Sequence, residues 1–134
     1  IDGFEIGCAV MGNDHIETGS VDEIEIEAAF FDFEGKYAMK GAEIHCPARL
    51  EPNLFEAAQM LAKDAYRTMG CTGLARVDMF VTAENEIVLN ELNTIPGFTA
   101  TSRYPSMMAT AGLSFSDLID RLIGLAMERQ VSAC

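Results

Sequence analysis

The sequence predicts an α+β (mixed α/β) domain in which a largely antiparallel sheet is packed with helices, and three observations predict it. Apolar residues recur at helical spacing from Pro52 to Met69; two alternating segments, Ala75 to Val81 and Ile87 to Leu92, flank a short turn; and a helix start follows at Ser114. Taken in order, Glu5 to Met11 reads as a strand, ended by a turn at Gly12-Asn13-Asp14. Val21 to Ile26 reads as a half-exposed strand whose carboxylates face water. Residues 30–43 mix aromatic and charged side chains without either period, which predicts a long loop, and loops of that length are often functional. Leu54, Ala58, Leu61, Ala65 and Met69 form the apolar face of a helix, with Gly70 standing where a terminating glycine belongs. Thr82 to Glu86 joins the two alternating segments as a β-hairpin. Pro105 suits the first turn of a short helix ending near Gly112, and Ser114-Phe115-Ser116-Asp117 starts a final helix running to about Glu128.

With 134 residues, 49% of them hydrophobic, the chain can build a core without disulfide or metal staples. Its formal charge of −12 is uneven: residues 1–51 carry 3 basic and 12 acidic side chains, residues 52–134 carry 6 and 9. That balance argues against a nucleic-acid partner, which needs clustered cations, but not against ATP, whose charge Mg²⁺ can offset locally. Cys8, Cys46, Cys71 and Cys134 form no paired motif and the histidines no zinc spacing, so a reducing, cytoplasmic setting fits. No apolar stretch approaches a membrane span, and no membrane partner is expected. The chain starts within a strand and without an initiator methionine, so it is expected to be a fragment that lacks an N-terminal part.

The hairpin carries the most chemistry. Arg76, Asp78 and Phe80 share one strand face, and Ile87, Leu89, Glu91 and Asn93 share one face of the next. With the turn centred near Glu84, paired positions sum to about 169, which sets Asp78 opposite Glu91 or one position away. Opposed carboxylates need compensation. A divalent cation supplies it, with Asn93 adding an amide oxygen; an ion pair from Arg76 on a sheet surface supplies it equally well, and spacing leaves both readings open. The segment Thr94 to Pro105 places a Pro-Gly turn, hydroxyls and Arg103 nearby, which makes an anion pocket or an ordinary loop.

Together, Gly70-Cys71-Thr72-Gly73-Leu74-Ala75-Arg76-Val77-Asp78, Asn90-Glu91-Leu92-Asn93-Thr94-Ile95-Pro96-Gly97-Phe98-Thr99 and Ser102-Arg103-Tyr104-Pro105 resemble the D-alanine-D-alanine ligase family of ATP-grasp enzymes. Phe30 to Tyr37 resembles that family's omega loop. The resemblance covers nearly the whole chain and implies the C-terminal part of an ATP-grasp domain, with the omega loop at about 30–43 and a metal-binding hairpin at about 74–93. The N-terminal and central domains of such enzymes would be absent. It implies an ATP-dependent ligase that phosphorylates D-alanine and joins it to a second D-amino acid for peptidoglycan precursors. Asp78, Glu91 and Asn93 match ligands of two Mg²⁺ (or Mn²⁺) ions. Arg76 and the Gly97 N–H match groups that stabilise the tetrahedral intermediate, and Glu5 matches the acid that holds the ATP ribose. Lys36 and Tyr37 match omega-loop residues that close over the phosphates and second substrate, with Ser102 linked to Tyr37.

The Lys36-Tyr37 pair is similar to the peptide-forming members rather than those that use D-lactate. Arg103 and Phe31 stand where ordinary members tend to have leucine and tyrosine, and so resemble the vancomycin-resistance D-alanine-D-serine ligases. A guanidinium can bond a substrate hydroxyl where leucine cannot, so D-serine is favoured over D-alanine as the second substrate. The alternative for Arg103 is a surface cation at a helix start, which the helix dipole disfavours. Relatives of this kind are commonly homodimers. The other class of reading is a truncated, non-catalytic domain that binds Mg²⁺ or nucleotide. Met39, Met60, Met69, Met79 and Met127 read as packing in a core or against a partner, His15 and His45 as loop residues, and Cys71 as a small apolar side chain rather than a nucleophile.

Overall fold

Strand-forming segments at both ends of the acidic first third pair with the hairpin into one antiparallel sheet. The computed structural model describes residues 2–26 and 42–132. Its strands are β1 (Gly3–Gly12), β2 (Ile16–Ile26), β3 (Ala42–His45), β4 (Gly73–Thr82) and β5 (Ile87–Asn93), and its helices α1 (Pro52–Thr68), α2 (Arg103–Thr110) and α3 (Phe115–Ser132). Across the sheet the order is β3-β2-β1-β4-β5, every pair antiparallel. The fold class is therefore the α+β arrangement expected. Of the loop expected at 30–43, Ala42 and Glu43 begin β3 and the remainder lies outside the described residues.

Period-two alternation sends the side chains of β1 to two different cores. Ile6, Cys8 and Val10 join Val21, Ala75, Val77, Met79 and Val81 beneath α1, whose Ala58, Ala62, Ala65 and Tyr66 are buried. Ala9 and Met11 point the other way, to Tyr104, Met107, Met108 and Leu118 of α2 and α3. Two tyrosines fasten the helices to the central strand: Tyr66 Oη donates to the Gly12 carbonyl at 2.8 Å and Tyr104 Oη to the Val10 carbonyl at 3.1 Å, beside a bulge in the β1–β2 pairing. The α1 helix ends as expected, with Gly70 at φ 65°, a left-handed conformation that costs glycine nothing. The final helix starts on the expected capping residue: Ser114 Oγ accepts from the Asp117 N–H at 3.2 Å and donates to its carboxylate at 2.6 Å.

Four expectations are corrected. The carboxylates of β2 do not all face water: Asp22 is 1% exposed and Glu23 is buried, while Glu25 is exposed. Ile87 and Leu89 do not share a face with Glu91 and Asn93, because a bulge at Asn90 shifts the register between Asp78 and Met79. Ile87 and Leu89 thus pair with Val81 and Met79, and Glu91 and Asn93 pair with Asp78 and Arg76. His45 ends strand β3 instead of lying in a loop, and its Nε2 sits 2.8 Å from Glu25. Met79 is buried, but Met60, Met69 and Met127 are exposed and belong to neither core, which leaves for them only the partner-facing alternative; Met39 lies outside the described residues.

Glu23 stays charged because Arg49 holds it, with Nη2 to Oε1 at 2.6 Å and the Arg49 N–H to Oε2 at 3.0 Å. Those hydrogen bonds hold its carboxyl below the usual carboxylate range against the opposing effect of burial. A depressed folded-state pKa adds stability that is complete above the unfolded pKa of about 4.3 and is lost as pH falls through the lower folded value. Urea unfolding should show Glu23→Gln less stable than the parent by about 1 kcal/mol at pH 7, the gap closing below about pH 4. A gap independent of pH would show that the ion pair is not its source.

Candidate active site

The face of the sheet that carries α2 and α3 changes character along β1. At the end nearer the chain start, Glu5 and Gly7 replace the apolar Ala9 and Met11. Gly7 pairs with Asp22 on one side and Asp78 on the other, and Asp78 pairs with Glu91. Three carboxylates and one glycine thus form a row across four strands. The next row sets Ala9 beside Arg76 and Arg76 beside Asn93.

Two guanidiniums answer the row. Arg76 lies two residues before Asp78 on the same face and grips it through Nε to Oδ1 and Nη2 to Oδ2, both at 2.7 Å. Arg103, the first residue of α2, lies over Gly7 with its side chain 12% exposed. Its Nε and Nη2 each donate to Asp22 at 2.8 Å, its Nη1 donates to Glu5 at 3.2 Å, and Nη2 stands 3.8 Å from Asp78. Burial works against the Arg103 charge, but the hydrogen bond to Asp22 and the charges of Asp22, Asp78 and Glu5 raise its pKa above the ordinary arginine value. Each guanidinium has five N–H donors, so Arg76 keeps three and Arg103 two beyond the hydrogen bonds named here.

The structure therefore brings together Glu5, Arg76, Asp78, Glu91, Asn93 and Arg103. Gly97 and Ser102 form an adjoining group: a Cβ on Gly97 would stand 3.3 Å from Ser102 Oγ. Ser102 is the N-cap of α2, yet its hydroxyl makes no capping bond. It turns to the preceding loop, accepting from the Thr99 N–H at 3.0 Å and lying 2.8 Å from Thr99 Oγ1. Phe98 anchors that loop between Tyr104 and Phe115, at ring-centroid distances of 5.9 and 5.7 Å. Phe31, Lys36 and Tyr37 lie outside the described residues.

Asp78, Glu91 and Asn93 suit a hard divalent cation: two carboxylates opposed across β4 and β5 and an amide oxygen one row away. Asn93 Oδ1 already accepts from the Ile95 N–H at 3.1 Å, which fixes its orientation. Formally, Glu5, Asp22, Asp78 and Glu91 against Arg76 and Arg103 leave two negative charges, the charge that one divalent ion cancels. A cavity of about 270 Å³ lies at the far end of β1, lined by residues including Asn13, His15, Glu17 and Arg121, and is no part of this site. Cys8 is on the other face of β1, where burial pushes its thiol up to about 12, so it is no nucleophile.

Sequence reasoning missed Asp22 and Gly7. The signal for Asp22 was present: period two puts it on the face of Ile24 and Ile26, where an unpaired carboxylate is costly. The surface-cation reading of Arg103 is corrected by its burial against that carboxylate. Asp22→Ala should cost about 3–5 kcal/mol in urea unfolding because it leaves the guanidinium buried with weaker partners, while Glu5→Gln, at the more open end of the network, should cost about 1 kcal/mol or less. Equal losses would contradict the central place given to Asp22.

The family described as "D-ala D-ala ligase C-terminus" matches residues 1–124. D-alanine--D-alanine ligase A of Escherichia coli strain K12 is 45% identical over 133 residues, covering 98% of this chain and 36% of that protein. The crystal structure of the VanG D-Ala:D-Ser ligase from Enterococcus faecalis aligns at a TM-score of 0.84 with 53% identity, covering 93% of this chain and 36% of that one. D-alanine--D-alanine ligase from Bacillus anthracis, solved in complex with ATP, aligns at 0.81 with 25% identity, covering all of this chain and 41% of that one. The chain spans little more than a third of the length of the relatives it matches. Among the described residues, no helix is long and apolar enough to cross a membrane.

Proposed function

The chain belongs to the D-alanine-D-alanine ligase C-terminal family, and from that premise we propose that the complete protein joins D-alanine to a second D-amino acid at the expense of ATP, preferring D-serine. The observation that carries this reading is the row Asp22-Gly7-Asp78-Glu91 with Arg103 seated on it. It sets a divalent-cation donor set beside a polar, cationic pocket. In the reaction, a D-alanine carboxylate oxygen attacks the γ-phosphorus of ATP, giving acyl phosphate and ADP. The amine of the second substrate then attacks the acyl carbon and loses a proton, and the tetrahedral intermediate expels phosphate to leave the amide.

Asp78, Glu91 and Asn93 would hold Mg²⁺, which when bound neutralises charge on the phosphate oxygens. Arg76 is locked to Asp78 at two N–H groups and offers the others to the oxygens of the intermediate. The Gly97 N–H, steadied by the Phe98 anchor and the Ser102 hydroxyl, serves the same charge. Glu5 receives the ATP ribose, Ser102 positions the second substrate, and Lys36, Tyr37 and Phe31 complete the closed site as the sequence suggests. For the second substrate, the spare donors of Arg103 pair a serine hydroxyl. D-alanine leaves those groups without that partner, which is the source of discrimination.

Two experiments on the complete enzyme test this. Asp78→Asn should lower turnover about a hundredfold or more, and unchanged turnover would remove Asp78 from the site. Replacing Arg103 by Leu together with Asp22 by Asn, so that no buried charge is stranded, should lower the D-serine to D-alanine ratio of kcat/KM by about ten- to a hundredfold. An unchanged ratio would end the argument for D-serine.

A further inference from the structure

Gly7 is a glycine in the middle of a regular strand, and its backbone does not require one. It pairs in register on both sides, and its φ is not in the left-handed region. Any L-residue could adopt this conformation, and a residue with a side chain would strengthen the strand. The constraint is space. A Cβ at position 7 would stand 2.5 Å from Arg103 Nη2, 2.7 Å from Asp22 Oδ1 and 3.2 Å from Asp78 Oδ1. All three atoms are side-chain tips. The guanidinium lies on the bare strand, and the missing methyl group is the seat that lets it reach Asp22, Glu5 and the edge of Asp78 together.

From this geometry we infer that Gly7 is a specificity-determining residue of the proposed ligase: the absence of a side chain at position 7 holds the Arg103 guanidinium where the second substrate is read. This deepens the reading of Arg103 as a second-substrate residue and rests on it. Gly7 touches no substrate; it acts through Arg103 as a positioning residue. Because the tip of a flexible arginine is what a methyl group would strike first, Gly7→Ala leaves the sheet register intact and moves the guanidinium off its seat. With the guanidinium displaced, the hydroxyl of D-serine loses its donor while D-alanine loses nothing, so the KM for D-serine rises and that for D-alanine does not.

The test is a double-mutant cycle in the complete enzyme, reading the D-serine to D-alanine ratio of kcat/KM. Gly7→Ala alone should lower the ratio about tenfold or more. In the background carrying both Arg103→Leu and Asp22→Asn, where there is no guanidinium to displace, the same substitution should change the ratio by less than about twofold. Equal effects in the two backgrounds, or no effect of Gly7→Ala where the background substitutions do shift the ratio, would overturn the role of Gly7 and leave the reading of Arg103 standing. A background pair that leaves the ratio unmoved would overturn the reading of Arg103, and the proposal with it. Thermal melting of all four proteins accompanies the kinetics. If Gly7→Ala alone does not fold, recovery of folding in the background without the guanidinium supports the proposal, and failure to recover overturns it.

Discussion

A guanidinium buried on a β-sheet is the constraint around which this domain is organised. Arg103 begins α2, where the positive end of the helix dipole disfavours a cation, and the first turn of that helix contains no acidic residue to offset it. The compensation comes from the sheet. Asp22 takes two hydrogen bonds, Glu5 a third, and Asp78 adds charge at 3.8 Å. These contacts fix where α2 starts, and Tyr104, the next residue, reaches β1 through its own hydrogen bond to Val10. Helix and sheet are thus joined by a charged contact and a neutral one in consecutive residues. Removing either partner of the charged contact is costly because the other stays buried.

The same face of the sheet is divided between packing and chemistry. Ala9, Met11 and Leu74 lie beneath α2 and α3, and the carboxylate row begins one step farther along the strands. The opposite face carries an apolar core under α1, with one buried charge, Glu23, held by Arg49. The proposed reactive groups therefore stand on strands whose other side is a packed core, which holds side-chain positions more tightly than a loop would. Among the described residues, the loop that contributes, around Gly97, is held by an aromatic side chain driven between Tyr104 and Phe115 and by a hydroxyl drawn away from its helix cap.

What could be read from the sequence was whatever depends on near neighbours. The Gly70 helix end and the Ser114 capping pair involve residues a few positions apart, and the hairpin pairs Arg76–Asn93, Val77–Leu92 and Asp78–Glu91 follow from one short turn and sum to 169 as expected, while the pairs nearer the turn sum to 168. Asp78 and Glu91 fall in this class, as does their opposition. The bulge at Asn90 does not, since one extra residue in a strand leaves no trace in composition, and it is what turns Ile87 to the α1 core while Leu89, opposite Met79, stays exposed. The Asp22–Arg103 pair is separated by 81 positions, and no local period can disclose it. A carboxylate on the face of Ile24 and Ile26 announced that a partner was needed, without naming it.

That distinction bears on how the site's charge should be understood. An acidic face looks solvated when counted along the chain, yet two of its carboxylates, Asp22 and Asp78, are almost wholly withdrawn from water, and both are bonded to arginine. Glu91, directly across from Asp78, is exposed. The row is thus graded, from a fully neutralised and structural end at Asp22 to an open end at Glu91, with Asp78 shared between them. A divalent cation at the proposed site would meet Glu91 first and find Asp78 already oriented by Arg76, so the ion pair that stabilises the sheet would also present the carboxylate edge. The ion pair and the proposed metal site are therefore compatible: the ion pair fixes Asp78, and Glu91 would complete the proposed site with it.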